Sequence, residues 1–482
     1  MIYIKSVVKK IMISSLLKYA PVQIFAAISV FALISIHTKL LTTTEYGMLA
    51  LMLLTVEVVR AVAAQWINSS MLRLLPSKKT EEHDNFAAIA CSIIFCCTLP
   101  ALALVSLGLY LTGLLTLSTF LATFLVFLIK ALYQFYLELA RIMERLNQYR
   151  IAVLTQSIMS IVITGSLLAY SPNILSALSA LALSYIAAGL VVFKPLKISI
   201  NKLKTPDAQA IFSYGLPLMA SGLVAAISSR LDRYFIADKL DLAQTGIYAA
   251  ISNILLGIGA LIFMVVALPS YPELTKKIND KAALYKAHGE YLTLLCLISA
   301  PALVGFCILA EPITHLLLSE EYLSQGSTVI YILCAGVFVV NLKAHYIDHG
   351  LQFSLNTKYL PKISVFSLVV NLSLLVTLIP LYGLVGAASA FLITSLTSFS
   401  VALWLSIKKG YKYFIPLQVY KIIFSTLCMA IFLPELRVYH FVMINIPIVN
   451  LVIDVLIGVS IFSCVLALLN YKKCKAWIIN EK

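Results

Sequence analysis

The sequence FAAIACSIIFCCTLPALALVSLGL, at residues 86–109, contains no charged side chain and is long enough to cross a lipid bilayer as one α-helix. The hydrocarbon core is about 30 Å thick and a helix rises ~1.5 Å per residue, so about 20 apolar residues suffice. Similar runs precede and follow this one along nearly the whole chain. None shows the alternating pattern of a membrane barrel, so we predict that all of them are helices.

The composition of the whole chain agrees with this stretch. Of 482 residues, 61% are hydrophobic and only 12% are charged, and the mean hydropathy is +0.97. Soluble domains carry about 25% charged residues, so a soluble globular protein, a disordered chain and a coiled coil are all excluded. The net charge of +15 would indicate nucleic-acid binding in a soluble protein. Here the basic residues lie in short loops between apolar runs, so we attribute the charge to membrane topology and expect no nucleic-acid partner.

Fourteen apolar runs predict an all-α polytopic membrane protein with about fourteen transmembrane helices. The basic residues concentrate in alternate loops and in both tails, and only Lys39, Lys239 and Arg437 lie in the loops of the other side. The positive-inside rule then predicts that the N- and C-termini are cytoplasmic. The runs lie near residues 16–37, 46–70, 86–109, 114–139, 151–170, 174–193, 211–237, 246–269, 290–310, 327–346, 362–380, 383–407, 416–433 and 447–469.

Landmarks of the first six runs recur in the next six and indicate an internal repeat. Gly47 and Gly246 begin corresponding runs, and the tripeptide Pro-Ala-Leu occurs at Pro100 and again at Pro301. Six runs per repeat make both halves enter the membrane in the same direction. We therefore predict two pseudo-symmetric six-helix lobes around a central cavity, plus two C-terminal helices. The predicted domains are residues 1–200, 201–410 and 411–482.

Three short motifs and the arrangement of the runs resemble the multidrug/oligosaccharidyl-lipid/polysaccharide (MOP) exporter superfamily. The motifs are Thr44-Glu45-Tyr46-Gly47, Ser229-Arg230-Leu231-Asp232-Arg233 and Leu355-Asn356. Along essentially its whole length the chain looks like Wzx-type flippases of O-antigen and other polysaccharide repeat units. The resemblance implies an alternating-access transporter in the bacterial inner (cytoplasmic) membrane. Such a protein moves undecaprenyl-pyrophosphate-linked oligosaccharides from the inner to the outer leaflet.

The resemblance also implies what the protein binds. The expected partners are the undecaprenyl-pyrophosphate-linked oligosaccharide and membrane lipids, with a polysaccharide polymerase and a chain-length regulator as further candidates. No cofactor is expected, and coupling to H⁺ or Na⁺ is left open. The last two runs are expected, by resemblance only, to form a groove for the polyprenyl tail.

Charged side chains inside the runs are the candidate binding residues. An ionised group at mid-bilayer costs about 2.5–3.5 kcal/mol on insertion scales, so it normally faces protein or water. Guanidinium groups bind phosphate oxygens bidentately, so we predict that bases from both lobes hold the anionic headgroup. The predicted binding residues are Arg60, Lys130, Arg230, Arg233 and Lys343, and the acids expected to couple an ion or form ion pairs are Glu57, Asp232 and Asp348.

The spacing of these residues along each helix refines the prediction. Glu57 and Arg60 lie three residues apart, so we expect them to share a helix face and to neutralise each other in part. Arg230 and Arg233 have the same spacing, which predicts two guanidinium groups on one face. Arg233 either lines the cavity or extends to the membrane surface, and Lys343 either joins an inner gate or faces a loop.

Two other transport functions remain as alternatives. A drug/cation antiporter of the same superfamily generally relies on acidic residues in the lumen, whereas the first run here contains no Asp or Glu. A flippase of lipid-linked peptidoglycan precursors shares the fourteen-span plan and the anionic headgroup. An enzyme is not expected, because the longest outer loop, 311–326, is short and the chain has no P-loop, HExxH or GxSxG pattern. We predict neither catalytic residues nor a metal site.

Overall fold

All regular structure in this protein is helical wherever the structure describes it. The computed structural model describes residues 22, 25–198, 200–228, 230–322, 326–441 and 447–471. Within these ranges there is no β-strand. The predicted all-α fold class is therefore confirmed.

The chain divides into two compact units, Met1–Ala249 and Ala250–Lys482. The first unit contains a π-helical turn at Ala61–Gln65. Its helices are α1 (Phe25–Leu40), α2 (Thr43–Arg60), α3 (Trp66–Leu74), α4 (His83–Cys96), α5 (Thr98–Leu111), α6 (Leu117–Ile142), α7 (Leu146–Tyr170), α8 (Ile174–Val192), α9 (Pro206–Ser228), α10 (Asp232–Lys239) and the start of α11 (Leu242–Thr275).

The second unit contains the rest of α11 and a second π-helical turn, at Lys343–Ile347. This turn begins near the end of the tenth predicted run, 327–346, and joins it to a short helix that lies beyond the run. The helices of the unit are α12 (Lys281–Ile308), α13 (Ala310–Leu317), α14 (Gly326–Leu342), α15 (Asp348–Phe353), α16 (Tyr359–Lys408), α17 (Leu417–Phe441) and α18 (Pro447–Leu469).

Twelve helical stretches in the described residues are long and apolar enough to cross a membrane. One of them, α16, holds two predicted runs, because Gly383 has φ 57° and ψ −133° and divides the helix between them. Helix α1 overlaps the first predicted run, 16–37, whose beginning lies mostly outside the described residues. The protein is thus a multi-span membrane protein with about fourteen spans, and the side on which its termini lie stays a prediction.

The division into units falls within α11, whereas the predicted lobes are divided near residue 200. The lobes at 1–200 and 201–410 are defined by an internal repeat in the sequence. The two units are defined by how compactly their residues pack, so the two divisions need not coincide. The repeat, its central cavity and the separate domain at 411–482 therefore stay predictions.

A close crossing of two helix beginnings explains the Gly47 and Gly246 landmarks. A Cβ atom on Gly47 would lie 1.9 Å from the carbonyl oxygen of Leu242, and one on Gly246 would lie 2.0 Å from that of Thr43. Only a residue without a side chain fits at either position. The preceding turn is held by a capping box, in which Thr42 and Glu45 bond to each other's backbone N–H groups.

A hydrophobic core in the first unit fixes the rotation of α3. Trp66, Ile67 and Met71 of this helix are all buried, and they belong to one cluster with Phe86 of α4 and Phe135 of α6. Because this face of α3 packs into the core, Asn68, Ser69 and Leu72 lie on the less buried side of the helix.

Candidate functional site

Two cations share one carboxylate inside the first unit. The Nε and Nη2 atoms of Arg60 donate hydrogen bonds to Glu57 Oε2 at 3.0 and 2.7 Å. The ammonium of Lys130, on α6, pairs with the other oxygen, Glu57 Oε1. The exposed fractions of the Arg60, Glu57 and Lys130 side chains are 17%, 34% and 17%, so the group is largely shielded but reachable. One unit of positive charge is left over, and this cluster is called the first-unit triad below.

An aromatic ring supports the lysine of this triad. Lys130 Nζ lies 5.6 Å from the ring centroid of Tyr185 on α8. A cation within about 6 Å of an aromatic face is attracted by the ring quadrupole. The ammonium therefore has both a carboxylate and a ring beside it, and its position is defined from two sides.

The π-helical turn after Arg60 decides which side chains continue the polar face. In an uninterrupted α-helix, Ala64, Ile67 and Met71 would follow Arg60 along one face, but all three are fully buried in the packed interior. The turn adds one residue, since a π-helix bonds i to i+5. Consequently Gln65 and Asn68 follow Arg60 instead.

A polar cavity lies beside the triad, between α6 and the end of the second predicted span. On α6 the residues at four-residue steps from Lys130 are Gln134 and Glu138, so they share its face. The cavity has a volume of about 270 Å³. Its polar lining consists of Arg60, Gln65, Asn68, Ser69, Gln134 and Glu138.

The motif around Arg230 lies at a break between two helices and not within one. Helix α9 ends at Ser228 and α10 begins at Asp232, so the predicted run at 211–237 is interrupted. Arg233 is only 2% exposed, which argues against extension to the membrane surface, whereas Arg230 is half-buried. The backbone N–H of Arg233 donates to Asp232 Oδ1 at 2.9 Å. Two guanidinium groups again accompany one carboxylate.

Lys343 is bound to an acid of its own helix in the second unit. Its Nζ atom donates to both carboxylate oxygens of Asp348, at 3.0 and 2.9 Å. The π-turn at Lys343–Ile347 places residues five apart on one face, which accounts for this pairing. The two side chains are 14% and 15% exposed, and their charges cancel. This is called the second-unit pair below.

A cluster of rings surrounds the second π-turn. His349 lies 5.7 Å from His288, measured between ring centroids, and Tyr411 Oη lies 2.9 Å from His288 Nδ1. Tyr413 Oη donates to the carbonyl oxygen of Ile347 at 2.7 Å. Burial raises the pKa of both tyrosines, Tyr411 and Tyr413, well above the usual value of a phenol. These rings hold the linker between α16 and α17 against the turn.

A second cavity, in the second unit, is apolar and has a volume of about 630 Å³. Helices α12, α14, α16 and α17 line it, with Leu303, Phe338 and Ile423 among the contributing residues. Within the described residues α18 contributes nothing to its lining, so a tail groove built from the last two runs stays a prediction.

The structure thus separates the predicted residues into three groups. Glu57, Arg60 and Lys130 contact one another, Asp232 accepts a bond from the Arg233 backbone, and Lys343 pairs with Asp348. The uncharged members of the polar cavity were not among the residues predicted from the sequence. Amide side chains inside apolar runs, such as Asn68 and Gln134, are the signal that could have found them.

Comparison with known proteins gives a consistent picture. Residues 36–327 match the family model described as polysaccharide biosynthesis protein. A Klebsiella pneumoniae protein described as an uncharacterized membrane protein in the cps region is 26% identical over 196 residues, which is 40% of this chain and 39% of that protein. The aligned part is therefore well under half of the relative's length.

Among solved structures, the lipid II flippase MurJ in an inward closed conformation is similar, with a TM-score of 0.73 and 16% identity. That similarity covers 95% of this chain and 99% of the MurJ chain. An inward-facing multidrug resistance MATE family transporter of the MOP superfamily has a TM-score of 0.61 and 14% identity, over 80% of this chain and 94% of that one. At these identities the comparison establishes a common fold.

Proposed function

Because this chain belongs to the polysaccharide biosynthesis protein family and has the fold of the MOP superfamily, we propose that it is a flippase of lipid-linked saccharides. The resemblance stated from the sequence is confirmed by these matches. The proposed substrate is an undecaprenyl-pyrophosphate-linked oligosaccharide, such as an O-antigen or other surface polysaccharide unit. The proposed step moves it from the inner to the outer leaflet of the bacterial inner membrane by alternating access. A polysaccharide polymerase and a chain-length regulator are proposed as partners in the same process.

The observation that carries this proposal is the first-unit triad. A fully compensated ion pair would need one cation for Glu57, yet both Arg60 and Lys130 contact it. An excess cation in a membrane-embedded helix costs free energy, which supports a function for it. A diphosphate offers several charged oxygens, which Arg60 binds as a fork and Lys130 as a point charge. The headgroup would therefore complete the neutralisation that Glu57 begins.

The other predicted residues take different parts in this proposal. Arg230 is half-buried beside the break between α9 and α10, and it is proposed as an additional phosphate contact. The fully buried Arg233 is proposed to stabilise that break. Lys343 reaches a substrate only by releasing Asp348, so its proposed part is in the conformational cycle.

Coupling to H⁺ or Na⁺ remains part of the proposal. Glu57, Asp232 and Asp348 each contact at least one basic residue, so protonation or cation binding at any of them would change a charge cluster. Transport measured under an imposed pH gradient, and separately under an imposed Na⁺ gradient, tests this part. A rate that responds to neither gradient would contradict it.

The function is tested with the purified protein in liposomes. A fluorescent undecaprenyl-pyrophosphate-linked saccharide is reconstituted, and the fraction in the outer leaflet is followed by adding a membrane-impermeant quencher. The wild-type protein is expected to increase the rate of exchange between the leaflets. Arg60→Ala and Lys130→Ala are each expected to reduce that rate about tenfold, since a charge-assisted hydrogen bond contributes about 1.5–3 kcal/mol.

The matched control is Lys194→Ala, which removes a lysine that pairs with Asp84 and lies beyond the end of the span Ile174–Val192. It is expected to leave the rate unchanged. A lipid II substrate and a cationic drug are assayed in parallel. Faster transport of lipid II would favour the peptidoglycan precursor alternative, and transport of the cation alone would favour the antiporter and contradict the proposal.

A further inference from the structure

The polar cavity in the first unit has a lining that suits a sugar. It presents three amides, a hydroxyl, a carboxylate and a guanidinium group to a volume of about 270 Å³. Sugar hydroxyls both donate and accept hydrogen bonds, and amide side chains provide both functions in return. The volume is just below the range of about 300–1,000 Å³ that is usual for pockets of drug-sized ligands. It therefore accommodates about one sugar ring and not a whole oligosaccharide.

Two acceptors in this cavity lack the partners that buried polar atoms normally have. Within the part of the chain that the structure describes, neither Asn68 Oδ1 nor Gln134 Oε1 has a hydrogen-bond partner, although both atoms are buried. Buried side-chain oxygens are hydrogen-bonded in the large majority of cases, so an unpaired one calls for a ligand or water. The two amides approach the cavity from different helices, α3 and α6. A ligand between them would bond to both.

The cavity adjoins the charge that the substrate's diphosphate needs. Arg60 belongs both to the first-unit triad and to the lining of the cavity. A diphosphate held at Arg60 has its first sugar only one bond away. The π-helical turn is what brings Gln65 and Asn68 onto the same face as Arg60.

We propose that this cavity binds the sugar attached directly to the diphosphate and thereby selects substrates by their lipid-proximal sugar. This inference rests on the proposed function, because it takes the ligand of the triad to be a diphosphate. A sodium ion is the competing occupant, since amide and carboxylate oxygens also coordinate cations. The size of the cavity and the guanidinium group of Arg60 in its lining favour the sugar.

The test compares ligands that differ only in the sugar. The full-length protein in lipid nanodiscs is titrated with farnesyl diphosphate and with farnesyl diphosphate carrying one glucose, galactose or N-acetylglucosamine. Wild type is expected to bind at least one glycosylated ligand about tenfold more tightly than the bare diphosphate. In the double variant Asn68→Leu, Gln134→Met this preference is expected to fall to about twofold or less, with the affinity for the bare ligand unchanged. Arg60→Ala is expected to weaken the binding of all four ligands.

Control variants separate a sugar contact from a packing effect. Asn371→Leu removes another half-buried amide inside a span, one that bonds to Thr394 in the second unit, and it is expected to keep the preference. Should the double variant not fold, the single variants Asn68→Leu and Gln134→Met are each expected to lose part of the preference.

The possible results distinguish this inference from the proposed function. If wild type binds the bare diphosphate but no glycosylated ligand more tightly, the sugar assignment is wrong and the flippase proposal stands. If the double variant binds the bare and the glycosylated ligands more weakly by the same factor, the cavity has a structural role and the sugar assignment is also wrong. If replacing K⁺ by Na⁺ changes the affinity of wild type but not of the double variant, the cavity is a cation site. Binding of none of the four ligands contradicts both proposals.

Discussion

The two units use the same backbone device beside a charged cluster, but they balance the charge differently. Each has a π-helical turn, at Ala61–Gln65 in the first unit and at Lys343–Ile347 in the second. At the first turn two cations share Glu57, and a polar cavity continues from them. At the second, one lysine holds one aspartate, and rings pack around the turn.

This difference indicates how a membrane protein can separate binding from gating. A cluster with surplus charge retains capacity for an anionic ligand, whereas a balanced pair gains nothing from one. A buried pair also costs desolvation free energy that its attraction only roughly offsets, so its value lies in specifying a conformation. We therefore expect the first-unit triad to determine affinity and the second-unit pair to determine the population of a conformation.

The largest expected effect comes from removing two charged side chains from each cluster. The double variant Arg60→Ala, Lys130→Ala is expected to lose about two orders of magnitude in the rate of saccharide-lipid exchange, because two charge-assisted bonds of about 1.5 kcal/mol or more disappear together. The double variant Lys343→Ala, Asp348→Ala removes a neutral pair, so its loss is expected to be about threefold. The liposome exchange assay measures both.

Equal losses in these two double variants would remove the distinction between the clusters. Their folding is checked by size-exclusion chromatography in detergent, and Lys194→Ala again provides the control for a lost surface lysine.

A smaller effect is expected when each carboxylate is neutralised. Glu57→Gln leaves two cations side by side, and Asp348→Asn leaves one cation without its partner. Each substitution is expected to lower the midpoint of thermal unfolding, by about 2–4 °C for each kcal/mol lost. Inorganic pyrophosphate should restore most of the loss in Glu57→Gln, because it replaces the missing anion between Arg60 and Lys130. It should restore less than half of the loss in Asp348→Asn.

Pyrophosphate that stabilises both variants equally would mean that the second-unit pair also accepts an anion. The comparison then fails, and Lys343 returns to the set of direct binding residues. Sodium sulfate at matched ionic strength controls for unspecific salt effects.

The fold was predictable because the membrane imposes a strong and simple pattern. Long apolar runs and the lack of charge in segments such as 86–109 identify the spans without reference to packing. The pairing of Glu57 with Arg60 was predictable as well, because spacing by three residues holds in any regular helix. These inferences depend only on the geometry of a regular helix, which the chain keeps in these segments.

The candidate site was less predictable wherever the backbone departs from a regular helix. Asp348 was among the acids expected to form ion pairs, but it lies five residues from Lys343, a spacing that a regular helix does not bring together, so spacing did not identify its partner. Likewise, at the break between Ser228 and Asp232, Arg233 is fully buried whereas Arg230 is only half-buried. Both π-turns and helix breaks depend on tertiary packing, which periodicity in the sequence does not reveal.

The smallest expected effect concerns the side chains that bond to the two π-turns. The indole N–H of Trp66 donates to the carbonyl oxygen of Val62 at 2.7 Å, and the Tyr413 hydroxyl donates to that of Ile347 at 2.7 Å. Trp66→Phe and Tyr413→Phe each delete one such bond, at a cost of about 1 kcal/mol or a shift of about 2 °C in the unfolding midpoint. The Trp66 bond is made within the turn that directly follows Arg60. Its loss should therefore loosen the triad and weaken binding of farnesyl diphosphate by about twofold. Tyr413 belongs to the linker before α17, so its loss should change the exchange rate and leave that affinity unaltered. The reverse outcome is a loss of affinity in Tyr413→Phe and a loss of exchange rate in Trp66→Phe. It would assign binding to the second unit and contradict the separation of binding in the first unit from conformational control in the second.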